Sequence, residues 1–379
     1  MAANPQHDGA FSRQREGDPA VIESLQVSAY KIPTDAPESD GTLEWDSTTI
    51  VVVEVSAGGK AGLGYTYGHH SIATLIDDKL ASIVKGRDVM NLSDAWLAML
   101  KAIRNLGRSG ISLMAISAVD IALWDLKARL LGLPLVTLLG AYHDGVPVYG
   151  SGGFTSYSDK QLCDQLRGWV DAGIPRVKMK IGREPNRDPA RMKAARNAIG
   201  DDVKLFVDAN GAYDRKQALA IADCFTEYGV NWYEEPVTSD DLEGLRLIRD
   251  RAPAITEIAA GEYGFGPADF RGLLEAGSVD VLQADITRCG GVTGFLAAAD
   301  LANAHKVPLS GHCAPALHLH PCCAIKPLRH LEYFHDHVRI ERMLFDGTQE
   351  PGGGVLKPDL SRPGIGLELK RSDAEKYRV

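Results

Sequence analysis

From residue 146 onward the chain repeats one unit, a short apolar strand ending in an ionisable side chain followed by an amphipathic helical stretch. The strands read VPVYGS (146–151), RVKMK (176–180), KLFVDAN (204–210), NWYEEP (231–236), EIAAGE (257–262), DVLQADI (280–286), KVPLSGH (306–312) and HLEYF (330–334). Eight strands alternating with seven helical segments predict a modified TIM barrel of the (β/α)7β kind, in the α/β class. A doubly wound open sheet also alternates, but it binds at one crevice between two strands. Here six strand ends carry ionisable groups, which suits the C-terminal mouth of a barrel, where catalytic groups gather.

The first part of the chain has a different rhythm. Residues 21–30 and 48–56 read as strands, separated by the polar segment PTDAPESDGTLEWDS and followed by a Gly58-Gly59-Lys60 turn. One helix opens at Ser93, and a second runs from about Ser112 to Leu131, where Gly132 and Pro134 stop it. The expected organisation is a flexible tail over 1–19, an α+β capping domain over 20–145, the barrel over 146–354, and a segment over 355–379 returning to the cap.

Composition limits the function. A net charge of -9 excludes a nucleic-acid binder, which needs a basic surface, while a small anionic carboxylic acid remains an acceptable substrate because local charge in a cleft can oppose the global sign. No apolar run approaches the roughly 20 residues of a membrane helix, and the six cysteines lie in apolar or helical contexts without a secretory start. The expectation is a cytoplasmic protein that forms a homo-oligomer and touches neither membrane nor nucleic acid.

The polar strand ends define the chemistry. Asp208, Glu234 and Glu262 close the third, fourth and fifth strands, so adjacent strands bring three carboxylates to one rim. Three such anions repel strongly, and a hard divalent cation with oxygen ligands resolves the conflict, which points to Mg²⁺. Lys178 and Lys180 are two apart on a strand and share its inner face, with Met179 facing the helices. Each should depress the other's pKa and so yield a base near neutral pH. Asp285 and His312 end the sixth and seventh strands, the pairing that fixes a catalytic imidazole. Glu332 ends the eighth strand, as an acid or donor to substrate or as a buried partner of a lysine.

These motifs, KMK, DAN, YEEP, AGE, DITRCGGVTG and SGH followed by HLEYF, resemble the mandelate racemase subgroup of the enolase superfamily over nearly the whole chain. The resemblance implies abstraction of the proton next to a carboxylate through an ene-diolate stabilised by Mg²⁺. It implies Asp208, Glu234 and Glu262 as metal ligands, and Lys180, tuned by Lys178, as one base. His312 with Asp285 would be the other base, Glu332 a contact to the substrate carboxylate, and Asn210 a substrate-holding side chain. Strand six ends without the lysine that muconate-lactonising and dipeptide-epimerase relatives place there.

Specificity is expected from the cap segments 33–47 and 65–71, which carry Thr34, Asp35, Glu44, Trp45, Asp46, Tyr67, His69 and His70. Trp45, Asp46, Tyr67 and His69, with Ser151 at the end of the first strand, are the candidate substrate contacts. Their polarity suits hydroxyl groups better than an aryl ring, so dehydration of a sugar acid to a 2-keto-3-deoxy acid is expected ahead of racemisation of a 2-hydroxy acid. A Schiff-base aldolase using Lys178 or Lys180 leaves the three carboxylates unexplained. An inactive binding protein leaves all six ionisable positions unexplained. HCAPALHLHPCC (312–323) has zinc-ligand residue types, but helical spacing scatters Cys313 and Cys323 from the His318–Cys322 face. GGKAGLG (58–64) lacks phosphate-loop spacing and reads as a hairpin turn.

Overall fold

The computed structural model describes residues 20–379; the tail expected over 1–19 lies outside the described residues. The cap is built on a three-stranded antiparallel sheet of β1 (Ser24–Ser39), β2 (Glu44–Ala57) and β3 (Lys60–Tyr67). Side chains of β2 alternate as a strand requires. Val51, Val53 and Val55 enter the core of the cap helices, whereas Ile50 and Val52 join the larger core shared with the barrel. Gly62 and Gly64 let the helix Ile111–Leu131 lie directly on β3: a Cβ would stand 2.2 Å from Ala122 O and 2.3 Å from Ala118 O respectively. The first glycines of that run do form the turn, with φ of 55° and 70° at Gly58 and Gly59.

Two expectations about the cap require correction. The segment 33–47 is not a loop, because β1 and β2 continue through it and leave only a turn from Asp40 to Leu43, with a register shift between Pro33 and Glu38. Several of its polar residues are paired, while Asp35, Glu44 and Asp46 stay exposed. Trp45 Nε1 donates to Glu38, Ser39 bonds Thr155, Thr48 donates to Asp336, and Arg339 donates to Pro33 O. The second correction is an additional helical stretch over 71–84, with a π turn at Ile76–Leu80. Ile72, Ile76, Leu80 and Val84 recur at every fourth position and are fully buried, each burial contributing about 1.5–3 kcal/mol.

The barrel strands are β4 (Val146–Gly152), β5 (Arg176–Lys180), β6 (Lys204–Asp208), β7 (Val230–Glu234), β8 (Glu257–Ala260), β9 (Val281–Ala284), β10 (Leu309–Gly311) and β11 (Leu328–Phe334). Neighbours pair in parallel, and β11 pairs with β4 to close the ring. Register decides the site. Lys180 pairs with Asp208, and Asp208 with Glu234, so all three stand on one rim. Below them Tyr149, Phe206, Trp232, Ala259 and Val281 fill the interior. After the barrel, Val355–Leu356 pairs antiparallel with β4, and the chain runs back to the cap, where Ile365 N donates to Asp125 and Val379 N to Ala29 O.

The cap also grips the segment that follows β9. Thr66 Oγ1 donates to Thr287 O, Trp96 Nε1 to Gly290 O, and Gly290 N to Ser117 Oγ. Asp120 accepts from both Thr293 N and Thr293 Oγ1 at the start of the helix Gly291–His305. Burial pushes Asp120 up to about 7 against the pull of those donors. Asp120→Ala is expected to cost about 1–3 kcal/mol, since it strands buried donors. Because the folded value lies above the ordinary 3.8, the stability of the wild type relative to Asp120→Asn should be greatest at pH below 3.8 and fall as pH rises towards about 7. Urea unfolding of both proteins across that range checks the sign.

Candidate active site

Asp208, Glu234 and Glu262 are buried, and one carboxylate oxygen from each lies within 4.8 Å of the others. Each anion is individually held. Lys180 Nζ is 2.5 Å from Asp208 Oδ2, while Lys178 Nζ is 2.6 Å from Glu234 Oε1, 2.8 Å from Glu332 Oε1 and 3.3 Å from Asp208 Oδ2. Trp232 Nε1 donates to Glu234 Oε2 at 2.8 Å. Burial, with Asp208 alongside, raises Glu234 to about 8. In Asp208 the same burial is outweighed by Lys180 and Lys178, which hold it below its ordinary value.

The lysines behave differently from the sequence expectation. Burial and, at Lys180, the neighbouring Lys178 do lower their pKa. The carboxylates win: Glu234 and Glu332 raise Lys178 well above its ordinary value, and Asp208 raises Lys180. Mutual repulsion between two ammonium groups is weaker than direct contact with two or three buried anions.

Across the mouth, His312 Nδ1 is 2.9 Å from Asp285 Oδ2, as the strand order predicted. Thr287 donates twice to the other Asp285 oxygen, from N and Oγ1. His312 Nε2 lies 3.2 Å from Glu262 Oε2 without forming a hydrogen bond, so that buried oxygen has no donor. Burial lowers His312, but Cys313, Glu262, Glu332 and Asp285 together raise it well above its ordinary value. Glu332 takes the lysine-partner role. Its Oε1 accepts from Ser151 Oγ at 2.5 Å as well as facing Lys178, and despite burial Lys178, His312 and Lys180 hold it well below the carboxylate range.

The cap candidates divide. Tyr67 is buried with its hydroxyl unpartnered, its ring stacked on His337 at 3.5 Å. Trp45 packs edge-on against Phe154 at 5.7 Å, above the mouth. Asp46 is exposed and bonds Ser47, and His69 is exposed beside His70; neither joins the cluster. Asn210 adopts φ 46°, with its Oδ1 buried and unpartnered.

Several residues were missed. Arg288 spans Glu262 and Asp285 at 3.5 Å each, Glu235 is buried with an unpartnered Oε1, and Glu38 is buried with Oε1 unpartnered. The DITRC and YEEP motifs contained the first two. Glu38 carried no signal, because its segment read as a solvated loop.

Residues 30–140 match the family described as Mandelate racemase / muconate lactonizing enzyme, N-terminal domain, and residues 161–374 match that described as Enolase C-terminal domain-like. The chain belongs to the mandelate racemase subgroup of the enolase superfamily, with the barrel-and-cap fold of that class. A mandelate racemase/muconate lactonizing enzyme-like protein from Rubrobacter xylanophilus is 59% identical, with a TM-score of 0.93 over 95% of this chain and 100% of that one. The 3,6-anhydro-alpha-L-galactonate cycloisomerase of Streptomyces coelicolor is 33% identical over 92% of this chain and 97% of its own length. L-talarate/galactarate dehydratase of Salmonella typhimurium is 34% identical over 86% of this chain and 85% of its own. The structure of that dehydratase liganded with Mg and L-lyxarohydroxamate has a TM-score of 0.87 at 28% identity, covering 100% of this chain and 96% of that one.

The orphaned Tyr67 hydroxyl generates a stability prediction. Tyr67→Phe removes a desolvated polar atom that has no partner, so the variant should unfold within about 0.5 kcal/mol of the wild type or above it. Calorimetric melting checks this, and a loss beyond about 1 kcal/mol would reveal a partner for the hydroxyl.

Proposed function

We propose that this protein is a Mg²⁺-dependent dehydratase of a sugar acid, converting an aldonic or aldaric acid to a 2-keto-3-deoxy acid. The observation that carries the reading is the placement of Lys180 and His312 at opposite ends of the carboxylate trio, one on Asp208 and the other beside Glu262. The trio fits a hard divalent ion. Six buried carboxylates (Asp208, Glu234, Glu235, Glu262, Asp285 and Glu332) outnumber the four cationic side chains beside them (Lys178, Lys180, Arg288 and His312), and Glu262 keeps an oxygen without a hydrogen-bond donor. Positive charge for the substrate carboxylate and for the ene-diolate it becomes is what a bound Mg²⁺ supplies there.

The chain's own groups divide the remaining work. Lys180 accepts the α-proton once Asp208 is engaged elsewhere and its hold on the amine relaxes. His312, oriented by Asp285, donates a proton to the departing β-hydroxyl. Lys178 and Ser151 hold Glu332 at the position where the substrate carboxylate docks. The cap, seated on the mouth through Trp45 and Tyr67, excludes water. Relatives named as dehydratases support the substrate class. The six free cysteines support a reducing, cytoplasmic setting, and no helix among the described residues is long and apolar enough to cross a membrane. A homo-oligomer completes this reading.

A second reading is favoured by the relatives named as cycloisomerases. There the α-proton is also removed, but a ring oxygen leaves in place of water. Mass spectrometry separates the two: dehydration lowers the product mass by one water, and ring opening leaves it unchanged.

Two outcomes are expected. Exhaustive chelation, or any one of Asp208→Asn, Glu234→Gln and Glu262→Gln, should abolish turnover while circular dichroism stays native; full activity after chelation would refute the metal assignment. Lys180→Ala and His312→Asn should each cost roughly 10² to 10⁴ in rate. Proton exchange at the α-carbon in deuterated solvent should disappear in the lysine variant and persist in the histidine variant. Persistence in both would remove Lys180 from the base role.

A further inference from the structure

A group of three unlike donors sits beside the carboxylate trio. His312 Nε2 and Cys313 Sγ are 3.4 Å apart, Cys313 Sγ and Glu332 Oε2 3.3 Å, and His312 Nε2 and Glu332 Oε2 3.6 Å. These are the edge lengths of a tetrahedral zinc shell, for which metal–sulfur bonds of about 2.3 Å and metal–nitrogen or –oxygen bonds of about 2.0–2.1 Å give edges of roughly 3.3–3.6 Å. The sequence reading dismissed zinc because the helical cysteines point apart. The fold recruits a different third donor, Glu332 from the neighbouring strand.

Each donor is fixed from behind. Cys313 has a left-handed φ of 52° immediately after β10 and its backbone N donates to Glu332 Oε2 at 3.1 Å, a conformation that turns the thiol onto that oxygen. Ser151 and Lys178 occupy Glu332 Oε1, and Oε2 faces the group, where it accepts from Cys313 N and Sγ. Asp285 occupies His312 Nδ1, the arrangement that orients metal-binding histidines. Among the described residues, it is the only potential metal-binding group that contains a cysteine.

We propose that His312, Cys313 and Glu332 form a second metal site, selective for Zn²⁺ or another thiophilic divalent ion, whose occupancy switches the enzyme off. Sulfur discriminates the two sites, since the all-oxygen trio suits Mg²⁺ and a thiolate selects softer ions. Binding releases the protons of the His312 imidazolium and the Cys313 thiol to solvent, and takes His312 Nε2 together with the Glu332 oxygen that the thiol contacts. The inhibition, though not the binding, rests on the catalytic role proposed above for His312.

The test uses the full chain with Mg²⁺ in excess and Co²⁺ as a spectroscopic probe. One thiolate-to-Co²⁺ charge-transfer band per chain, with the intense visible bands of four-coordinate cobalt, is expected in the wild type and in Asp208→Asn. The charge-transfer band should be absent in Cys313→Ser, and Zn²⁺ should displace it from the wild type. Zn²⁺ should also inhibit wild-type turnover under saturating Mg²⁺, at a concentration at least tenfold below that needed in Cys313→Ser, each measured against its own uninhibited rate. X-ray absorption on the zinc-loaded wild type should show a sulfur neighbour at about 2.3 Å, a readout that needs no variant to fold. No sulfur ligation in the wild type, or a band that survives in Cys313→Ser, would overturn the site. Sulfur ligation without inhibition would overturn the switch and the role of His312 while leaving the site standing.

Discussion

The constraint on which the rest of the structure depends is the repulsion among carboxylates that strand register forces onto one rim. Two like charges about 4 Å apart repel by roughly 4 kcal/mol at an effective dielectric near 20, and the pairing of Asp208 with Glu234 on adjacent strands allows no relief by separation. The chain answers with cations at the same depth. Lys178, fully buried, touches three carboxylates, and Arg288 bridges two more. Removing any one of these groups leaves a buried charge uncompensated, which is far costlier than losing a surface ion pair. The same frustration makes the site receptive to a divalent cation, so the electrostatic problem of the fold and the chemistry of the site have one origin.

The cap takes part in that balance without contributing a carboxylate to the trio. Its long helix is apolar almost throughout, yet it buries Ser117 and Asp120 facing the barrel. Both bond the 285–294 segment, together with Thr66, Trp96 and Trp124. Asp285 begins that segment and orients His312. The seat of the cap and the direction of the imidazole are therefore linked through one segment. The opposite edge is tied by Thr48 to Asp336 and by His335 to Asp35.

The barrel and its charged rim were legible because both are written in local pattern. A strand that is apolar until its last residue places that residue at the mouth whatever its neighbours do, and strand order then sets adjacency. Asp208, Glu234, Glu262, Asp285, His312 and Glu332 all came together on that logic alone. The pKa values of Lys178 and Lys180 were not legible, because their sign depends on how many carboxylates each amine touches, which is a matter of distance. The hairpin through 33–47 was hidden for a related reason. Its Pro, Asp, Ser and Glu residues look solvated in sequence, and only the barrel surface opposite supplies the partners that bury Glu38 and Ser39. Asp46 and His69 were chosen on residue type within a segment, and type does not fix which face of a strand or turn a side chain takes.

Backbone strain shows where the fold is shaped by its site. Of the five non-glycine residues with positive φ among the described residues, Asn210, Glu235, Cys313 and Ala314 lie within three residues after β6, β7 and β10. Such conformations cost about 1–3 kcal/mol each and persist only when the surroundings dictate them. The surroundings here are visible. Asn210 N donates to Asp208, Ala314 N donates to His337, and Cys313 N donates to Glu332. Asn210 and Cys313 thus aim a backbone N–H at a carboxylate of the rim, Ala314 aims one at the half-buried His337 ring, and Glu235 N donates to Ala259 O of the next strand. A relaxed turn would carry the chain outward into a helix and leave those oxygens with one donor fewer, so the strain is offset by the charge it helps to hold.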